Sequence, residues 1–250
     1  QEKLSGNVTT IVSNNCNYIK GSGNDPVLIS WDDATTLFHE FGHALHGLCS
    51  DVTYPTISGT NVARDYVEFP SQVLERWLPT ATVLQKYAMH YKTGHPLPQS
   101  LLEKLNNASK FNQGFETTEY LSSALVDMKI HLAGDKVTDP DQFEKETLAA
   151  LNMPSEIVMR HRLPQFGHIF SSDGYAAGYY SYLWSDVISA DATEAFTEAG
   201  GLYDKNIANK LYRNVFSVGA SIDESTGYRN FRGHDPDVKA LMRSRGFPDK

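Results

Sequence analysis

Two histidines and a glutamate form the most informative short motif of the chain, His39-Glu40-x-x-His43. Residues four positions apart lie on one face of an α-helix, so both imidazoles can bind a single metal ion. Glu40 lies one step around the helix, where its carboxylate can reach a water molecule on that metal. Imidazole ligands and a position kept for water are typical of catalytic zinc. The spacing therefore predicts a zinc-dependent hydrolytic site.

A catalytic zinc site needs a third protein ligand, which this motif does not contain. The longer pattern H-x-x-G-x-x-H is not met, because the residues after His43 read ALHGLCS. A downstream carboxylate is therefore the better candidate, and Glu68 and Glu75, seven apart, would share one side of a continuous helix. Spacing does not choose between the four acidic candidates: Asp51, Asp65, Glu68 and Glu75.

The elements that must position the motif can be predicted from the surrounding pattern. Residues 34–50, ATTLFHEFGHALHGLCS, have apolar side chains at helical spacing, and Asp32 and Asp33 precede them where an N-cap is expected. Before this helix, VTTIVSNNCNYI and PVLIS are rich in β-branched residues and flank GSGND, which predicts a small β-hairpin. Residues 53–64 are predicted to be a loop.

The rest of the chain is predicted to be mostly helical. A pattern over 67–91 contains Pro70, which either opens or bends a helix. Further helical patterns cover 96–133 in two segments, 139–152, 177–199, 206–219 and 236–247. No repeat and no dense Pro or Gly linker interrupts them.

The composition excludes several classes of protein. The apolar fraction of 40% and aromatic fraction of 11% favour a packed core over disorder. With 30 acidic and 22 basic side chains the net charge is −8, so we expect neither nucleic acid nor a membrane as partner. Cys16 and Cys49 are too few for a disulfide framework. The length fits one or two domains, and we expect a cytoplasmic protein.

Three longer segments resemble the thimet oligopeptidase family of zinc peptidases, most closely its bacterial peptidyl-dipeptidase (dipeptidyl carboxypeptidase) branch: FHEFGHALHGL, SGTNVARDYVEFPSQ and FGHIFSSDGYAAGYYSYLW. The resemblance covers nearly the whole chain. It implies a mainly α, multi-helix, zincin-type catalytic domain with a small β-hairpin or sheet near the N-terminus. It also implies that residues 1–250 are the C-terminal catalytic portion of a larger clam-shaped helical enzyme, whose N-terminal half is absent here.

The same resemblance assigns roles that spacing leaves open. It implies that Glu68 is the third ligand of a Zn²⁺ cofactor, beside His39 and His43. Glu40 would then activate the zinc-bound water.

The tyrosine-rich segment also receives a role by resemblance. His168 and Tyr182 are implied to be catalytic through the developing oxyanion, and Tyr175 and Tyr179 to contact the substrate. Simple packing is the other interpretation of such a segment, because tyrosine is common in cores and at their edges. Arg64 is a candidate anchor for a substrate carboxylate, against the alternative of an ordinary surface arginine.

The function that follows is zinc-dependent hydrolysis of short unstructured peptides, with release of C-terminal dipeptides. An endo-oligopeptidase of the same family is one alternative. A non-catalytic, zinc-binding fragment that lacks its partner, the N-terminal half of the enzyme, is another.

Overall fold

The computed structural model describes residues 3–4, 6–24, 26–137 and 139–248, and these are mainly helical, as predicted. No helix within these ranges is long and apolar enough to cross a membrane. Eleven α-helices lie in the described ranges: α1 (Trp31–Cys49), α2 (Glu68–Glu75), α3 (Ala81–Tyr87), α4 (Gln99–Ala108), α5 (Gln113–Ala133), α6 (Pro140–Ala150), α7 (Gly167–Phe170), α8 (Ser181–Glu198), α9 (Lys205–Leu211), α10 (Glu224–Arg232) and α11 (Val238–Ser244).

The chain divides into two compact units, of which unit 1 comprises Gln1–Asn107 and Ser185–Lys250. Its core is formed by aromatic and aliphatic side chains from α2, α8, α9 and α10. The ring of Phe69 is fully buried and packs edge-on against Tyr66 and Tyr228, while Trp77 packs edge-on against Phe196. Edge-to-face contacts of this kind favour a fixed ring arrangement, so they hold α2, which carries Phe69, against the core.

Unit 2 comprises Ala108–Trp184 and contains α5, α6 and α7. Asp139 caps α6 by accepting a hydrogen bond from the backbone N–H of Gln142 at 3.0 Å. The buried carboxylate of Glu144 on α6 accepts from the backbone N–H of Leu163 at 3.0 Å. This bond ties the segment before α7 to α6. Five buried apolar side chains form the core of the unit: Val126, Met159, Leu163, Phe166 and Ile169.

Two parts of the helical pattern differ from the prediction. Residues 67–91 form α2 and α3 separately, because Pro79 interrupts the pattern and Thr80 starts a new helix by capping Val83. The helix α10 was not predicted, since its sequence ESTGYRNFR is mostly polar. It is positioned by its two buried rings, Tyr228 and Phe231, and by close backbone packing at Gly227, where a Cβ would lie 2.6 Å from the carbonyl oxygen of Asn214.

The predicted N-terminal β-hairpin is wrong. The described part of residues 8–30 contains no strand, and only Val8 in it has an isolated bridge. Apolar side chains of this segment point to solvent, with Ile11 93% and Ile19 89% exposed. β-Branched residues favour strands mainly through packing against neighbouring side chains, and a lone two-stranded hairpin is marginal in water. With so little apolar surface buried here, the β-branched composition alone does not produce a hairpin.

Candidate active site

A capping box starts the helix that carries the H-E-x-x-H motif. Ser30 Oγ accepts a hydrogen bond from the backbone N–H of Asp33, and the Asp33 carboxylate accepts from the backbone N–H of Ser30, both at 3.0 Å. A serine, and not an aspartate, is therefore the N-cap residue. The helix continues without a break through the motif, which brings the rings of His39 and His43 to a centroid distance of 4.9 Å.

Glu68, the first residue of α2, faces both histidines. Its Oε2 lies 3.1 Å from Nε2 of His39 and 3.0 Å from Nε2 of His43. These three residues, called the donor set below, offer ligand atoms that all lie within 4.8 Å of one another. Glu68 is 4% exposed, and its carboxylate also accepts a hydrogen bond from Ser71 Oγ at 3.1 Å. Two imidazole nitrogens and a carboxylate oxygen form a ligand combination used by catalytic zinc sites.

Gly42 permits the close approach of α1 and α2 that assembles the donor set. A Cβ at this position would lie 2.4 Å from Cα of Ser71 and 2.7 Å from the carbonyl oxygen of Pro70. Both atoms belong to the backbone of α2, so a side chain at position 42 would force the two helices apart. The small residue between Glu40 and His43 is therefore part of the site geometry.

Glu75, at the end of α2, holds the other side of the His39 ring. Its Oε1 lies 2.6 Å from Nδ1 of His39. Burial lowers the pKa of His39, but hydrogen bonds with Glu68 and Glu75 outweigh burial and raise the pKa to about 10. Burial would raise the pKa of Glu68, yet its bonds with His39 and His43 hold that pKa well below the usual range. The site thus favours positive charge between its carboxylates, which is the environment that suits a bound cation.

The other polar residues of α1 differ in environment. Glu40 is half-buried and lies between the two ligand positions in sequence. His46 is completely buried, and neither of its ring nitrogens has a hydrogen-bond partner among the described residues. Burial, followed by the charge of His43, lowers the pKa of His46 to about 4. His46 is therefore neutral at pH 7 and packs edge-on against Phe216.

The remaining candidates in unit 1 lie outside the donor set. Asp51 pairs with Lys3 at 2.7 Å. Asp65 accepts a hydrogen bond from Ser185 Oγ at its backbone carbonyl, at 2.8 Å. Arg64 is exposed in the turn that leads into α2, next to Ala63, whose N–H donates to Glu224 at 3.0 Å. Arg64 is thus exposed next to the helix that carries Glu68, and this position is compatible with its predicted role.

In unit 2, the structure brings four predicted residues into one group, called the histidine–tyrosine cluster: His168, Tyr175, Tyr179 and Tyr182. Nε2 of His168 lies 3.1 Å from the hydroxyl of Tyr182. The rings of Tyr175 and Tyr182 are nearly parallel, with an interplanar angle of 8°. His168 lies on the short helix α7 and Tyr182 on the first turn of α8, so a loop between two helices carries the cluster.

A buried aspartate that sequence analysis missed fixes this loop. Asp127 on α5 is 0% exposed, and its two carboxylate oxygens accept from the backbone N–H groups of Ala177 at 3.0 Å and Tyr179 at 2.9 Å. His131, one helical turn later, lies 2.8 Å from the same carboxylate. Ala177 has φ of 53°, an unusual value for a residue with a side chain. The only sign of this role in the sequence is an aspartate and a histidine four positions apart within the apolar run ALVDMKIHL.

Comparison with known proteins places the chain in a family. The model of "Peptidase family M3" matches residues 4–247. The chain belongs to peptidase family M3. It is 44% identical over 240 residues to "Dipeptidyl carboxypeptidase" of Escherichia coli strain K12, which covers 95% of this chain and 35% of that protein. It is 35% identical over 238 residues to "Oligopeptidase A" of the same organism, covering 93% of this chain and 34% of that protein.

The M3 match confirms the resemblance predicted from the three sequence segments. It includes α1 with the H-E-x-x-H motif, α2 with Glu68 and the histidine–tyrosine cluster, because all of them lie between residues 4 and 247. A second "Dipeptidyl carboxypeptidase", from Salmonella typhimurium, is 42% identical over 241 residues. The chain spans about a third of the length of these curated relatives.

Proposed function

We propose that this chain is the catalytic portion of a zinc-dependent M3 peptidase that hydrolyses short unstructured peptides and releases C-terminal dipeptides. The observation that carries the proposal is the donor set, in which one carboxylate oxygen lies 3.0 to 3.1 Å from two imidazole nitrogens. The M3 match supports peptide hydrolysis, and the similarity to two proteins named dipeptidyl carboxypeptidase supports dipeptide release.

The donor set fits a zinc ion by its chemistry. His39, His43 and Glu68 would hold the ion, and three protein ligands leave a position for water. Glu75 supports this assignment, because a histidine that binds a metal usually donates its other ring N–H to a carboxylate. A bound zinc ion lowers the pKa of a water molecule towards about 7 and polarises a carbonyl group.

Glu40 acts as the general base in this proposal. It follows His39 directly on α1 and is half-buried, and the proposal is that its carboxylate reaches a water molecule held beside His39 and His43. Its carboxylate takes a proton from the attacking water and later gives that proton to the leaving amine. The peptide C–N bond breaks as the water oxygen becomes part of the new carboxylate.

The histidine–tyrosine cluster supplies hydrogen-bond donors for the substrate. The hydroxyl of Tyr182 lies 3.1 Å from Nε2 of His168. In the tautomer whose Nε2–H donates to the hydroxyl oxygen, the hydroxyl hydrogen can donate to the substrate. Fixed donors directed at a developing oxyanion are among the largest contributions to acyl-transfer catalysis. Tyr175 and Tyr179 contact the peptide beside this pair.

Dipeptide release requires recognition of the C-terminal carboxylate of the peptide. Arg64 is the proposed anchor, since a guanidinium binds a carboxylate with two parallel hydrogen bonds. We expect Arg64→Ala to lower kcat/KM on free-acid peptides more than on C-terminally amidated ones. Equal losses on both peptides would remove Arg64 from this role.

An endo-oligopeptidase is the second candidate function, favoured by the similarity to oligopeptidase A. Product masses from a nonapeptide distinguish the two activities. Sequential loss of dipeptides from the C-terminus supports the main proposal, whereas a single internal cut supports the alternative.

The partner required for full activity is proposed to be the rest of the enzyme, because the relatives are about three times as long as the match. A fluorogenic short peptide should be hydrolysed by this chain together with that remaining portion, and a chelator should stop the reaction. If the chain alone binds zinc but cleaves nothing, it is a non-catalytic fragment without its partner.

Replacement of the proposed base tests the mechanism most directly. We expect Glu40→Gln to retain zinc and to lose at least about 100-fold in kcat, which is the lower range for a general base. His39→Ala, in contrast, should lose the metal. Zinc analysis beside the peptidase assay measures both effects, and a fully active Glu40→Gln enzyme would contradict the assignment.

A further inference from the structure

An aromatic cleft in unit 2 extends from the histidine–tyrosine cluster to Tyr120, His161, Gln165 and Phe166, which the mechanism above does not use. Its volume is about 440 Å³, and its walls are the rings of Tyr120, Phe166 and Tyr179, joined by the exposed side chains of His161 and Gln165. Tyr120 and Tyr179 stack at 5.0 Å, and Phe166 packs edge-on against Tyr179 at 4.9 Å. The imidazole of His161 stacks on Phe166 at 5.2 Å. The cleft is therefore bounded mainly by ring surfaces.

The walls are fixed before any ligand binds. The hydroxyl of Tyr120 donates a hydrogen bond to the backbone carbonyl of Tyr179 at 2.5 Å. Phe166 is 2% exposed and belongs to the core of unit 2. The segment before it is held by Glu144, whose carboxylate lies 2.6 Å from Nε of Arg162 and 3.0 Å from the backbone N of Leu163. A rigid aromatic wall binds a ring without an ordering cost for the wall itself.

The cleft shares residues with the proposed substrate site. His168 and Tyr182, whose polar atoms pair at 3.1 Å, line the same cleft. None of the residues that line it, all within the described chain, is acidic or carries an alkyl ammonium group. A peptide side chain among the rings would thus leave its own backbone amide close to the His168–Tyr182 pair.

The volume and the surface chemistry select one kind of occupant. Pockets of 300 to 1,000 Å³ with apolar walls and few polar groups are typical of small-ligand sites. A volume of about 440 Å³ accommodates one large side chain with its adjoining backbone. Aromatic rings gain from stacked and edge-on contacts beyond the area they bury, whereas the methyl group of alanine makes no such ring contacts.

We propose that the cleft bounded by Tyr120, Phe166 and Tyr179 is a specificity pocket that binds a large aromatic side chain of the peptide substrate. This inference rests on the proposed function, because it places the peptide beside His168 and Tyr182. His161 and Gln165 set the size of the pocket. The ring of His161 extends the stacking surface of Phe166, and Gln165 lines the space that a substrate ring occupies.

Kinetic selectivity tests the pocket with matched peptides. A fluorogenic peptide carrying phenylalanine at each position in turn is compared with the same peptide carrying alanine there, using this chain with the rest of the enzyme. At one position, kcat/KM should favour phenylalanine at least about tenfold, which is the discrimination a hydrophobic pocket provides. A ratio near one at every position would overturn the inference.

Two variants change the pocket in opposite ways. Gln165→Trp fills the cleft and should remove the preference for phenylalanine. His161→Ala removes an exposed ring and should lower the preference at least about threefold, because one aromatic contact is lost. His90→Ala is the matched control, since the exposed ring of His90 stacks on Tyr91 at 5.4 Å and 30°, much as His161 stacks on Phe166. Its selectivity ratio should not change.

A binding measurement separates this inference from the proposed function. Titration with N-acetyl-phenylalaninamide should shift the imidazole C–H resonances of His161 and His168 saturably, while N-acetyl-alaninamide and the resonance of His90 serve as controls. Absence of these shifts, with peptide hydrolysis intact, would overturn the pocket and leave the peptidase proposal standing. Shifts at both histidines, without hydrolysis of any peptide, would support the pocket as an aromatic side-chain site and contradict the peptidase proposal.

Discussion

The donor set and the histidine–tyrosine cluster are positioned by different kinds of structure. His39, His43 and Glu68 project from two regular helices that pack closely at Gly42. The cluster lies on a short helix, a loop and one helix start, and a buried carboxylate holds that loop by its backbone. Helix packing therefore fixes the first group, whereas the second depends on hydrogen bonds from a remote residue.

The largest expected effect on kcat comes from removing the Tyr182 hydroxyl, a hydrogen-bond donor of the histidine–tyrosine cluster. Tyr182→Phe removes a hydroxyl that pairs with His168 at 3.1 Å. We expect kcat to fall about 100- to 1,000-fold, the usual loss for one oxyanion donor, with zinc content unchanged. Steady-state kinetics and metal analysis measure the two quantities.

Tyr87→Phe is the control for this variant. Tyr87 is 70% exposed and lies outside the cluster, so its replacement should not alter kcat. A Tyr182→Phe enzyme with normal kcat would reduce Tyr182 to a packing residue, which is the interpretation that composition alone allowed.

A somewhat smaller effect, on zinc affinity, is expected from replacing Glu75, the carboxylate that supports the donor set. Glu75→Ala removes the partner of His39 Nδ1, which lies at 2.6 Å. Outer carboxylates of this kind typically contribute about 10- to 100-fold in metal affinity, so zinc should bind correspondingly more weakly. Competition with a chelator measures the affinity. Glu103→Ala, on an exposed part of α4, is the control, and equal affinities in the two variants would refute the supporting role.

The sequence predicted the two regions to different depths. Helical spacing alone identified His39 and His43, because both ligands come from one helix. The choice of Glu68 needed the family resemblance, since the contact between α1 and α2 depends on packing at a glycine that carries no chemical signal. The N-terminal hairpin was wrong because β-branched composition does not reveal whether a segment finds a surface to pack against.

Asp127 was missed for a related reason. It bonds to backbone N–H groups about 50 residues away, and backbone groups leave no trace in side-chain patterns. His161 was likewise passed over, because an isolated histidine becomes informative only when its ring is seen against Phe166. Local periodicity thus predicts which side chains share one face of a helix. It does not predict contacts between a loop and a carboxylate that is remote in sequence.

A methyl group added at Gly42 should break the contact between α1 and α2 that assembles the donor set. Gly42→Ala places a Cβ 2.4 Å from the backbone of Ser71, so α1 and α2 must separate. Overpacking of this kind costs about 1–3 kcal/mol of stability, and zinc affinity should fall with it because Glu68 moves away from the histidines. Gly114→Ala is the matched control: Gly114 lies in α5, and a Cβ at that position would meet nothing within 4 Å, so alanine should stabilise the helix by up to about 1 kcal/mol.

The smallest expected change in activity comes from replacing Asp127. It distinguishes a residue that positions the cluster from one that only stabilises the fold. Asp127→Asn keeps the side-chain shape but replaces one acceptor oxygen by an NH₂ group, which cannot accept from both Ala177 and Tyr179. Loss of one of these bonds to a charged carboxylate costs about 1–3 kcal/mol of stability. We expect kcat to fall at least about fivefold, corresponding to about 1 kcal/mol of lost transition-state stabilisation, while zinc content stays normal.

Asp191→Asn provides the comparison that decides this point. Asp191 is a carboxylate in unit 1, 1% exposed, that accepts from the hydroxyl of Tyr228 and from Nε of Arg232. Its replacement should lower the melting temperature by a similar amount without the loss in kcat. If the two variants lose kcat equally at matched stability, Asp127 has only a structural role. If only Asp127→Asn loses kcat, the buried carboxylate acts through the loop that carries the cluster, which helix packing alone does not hold in place.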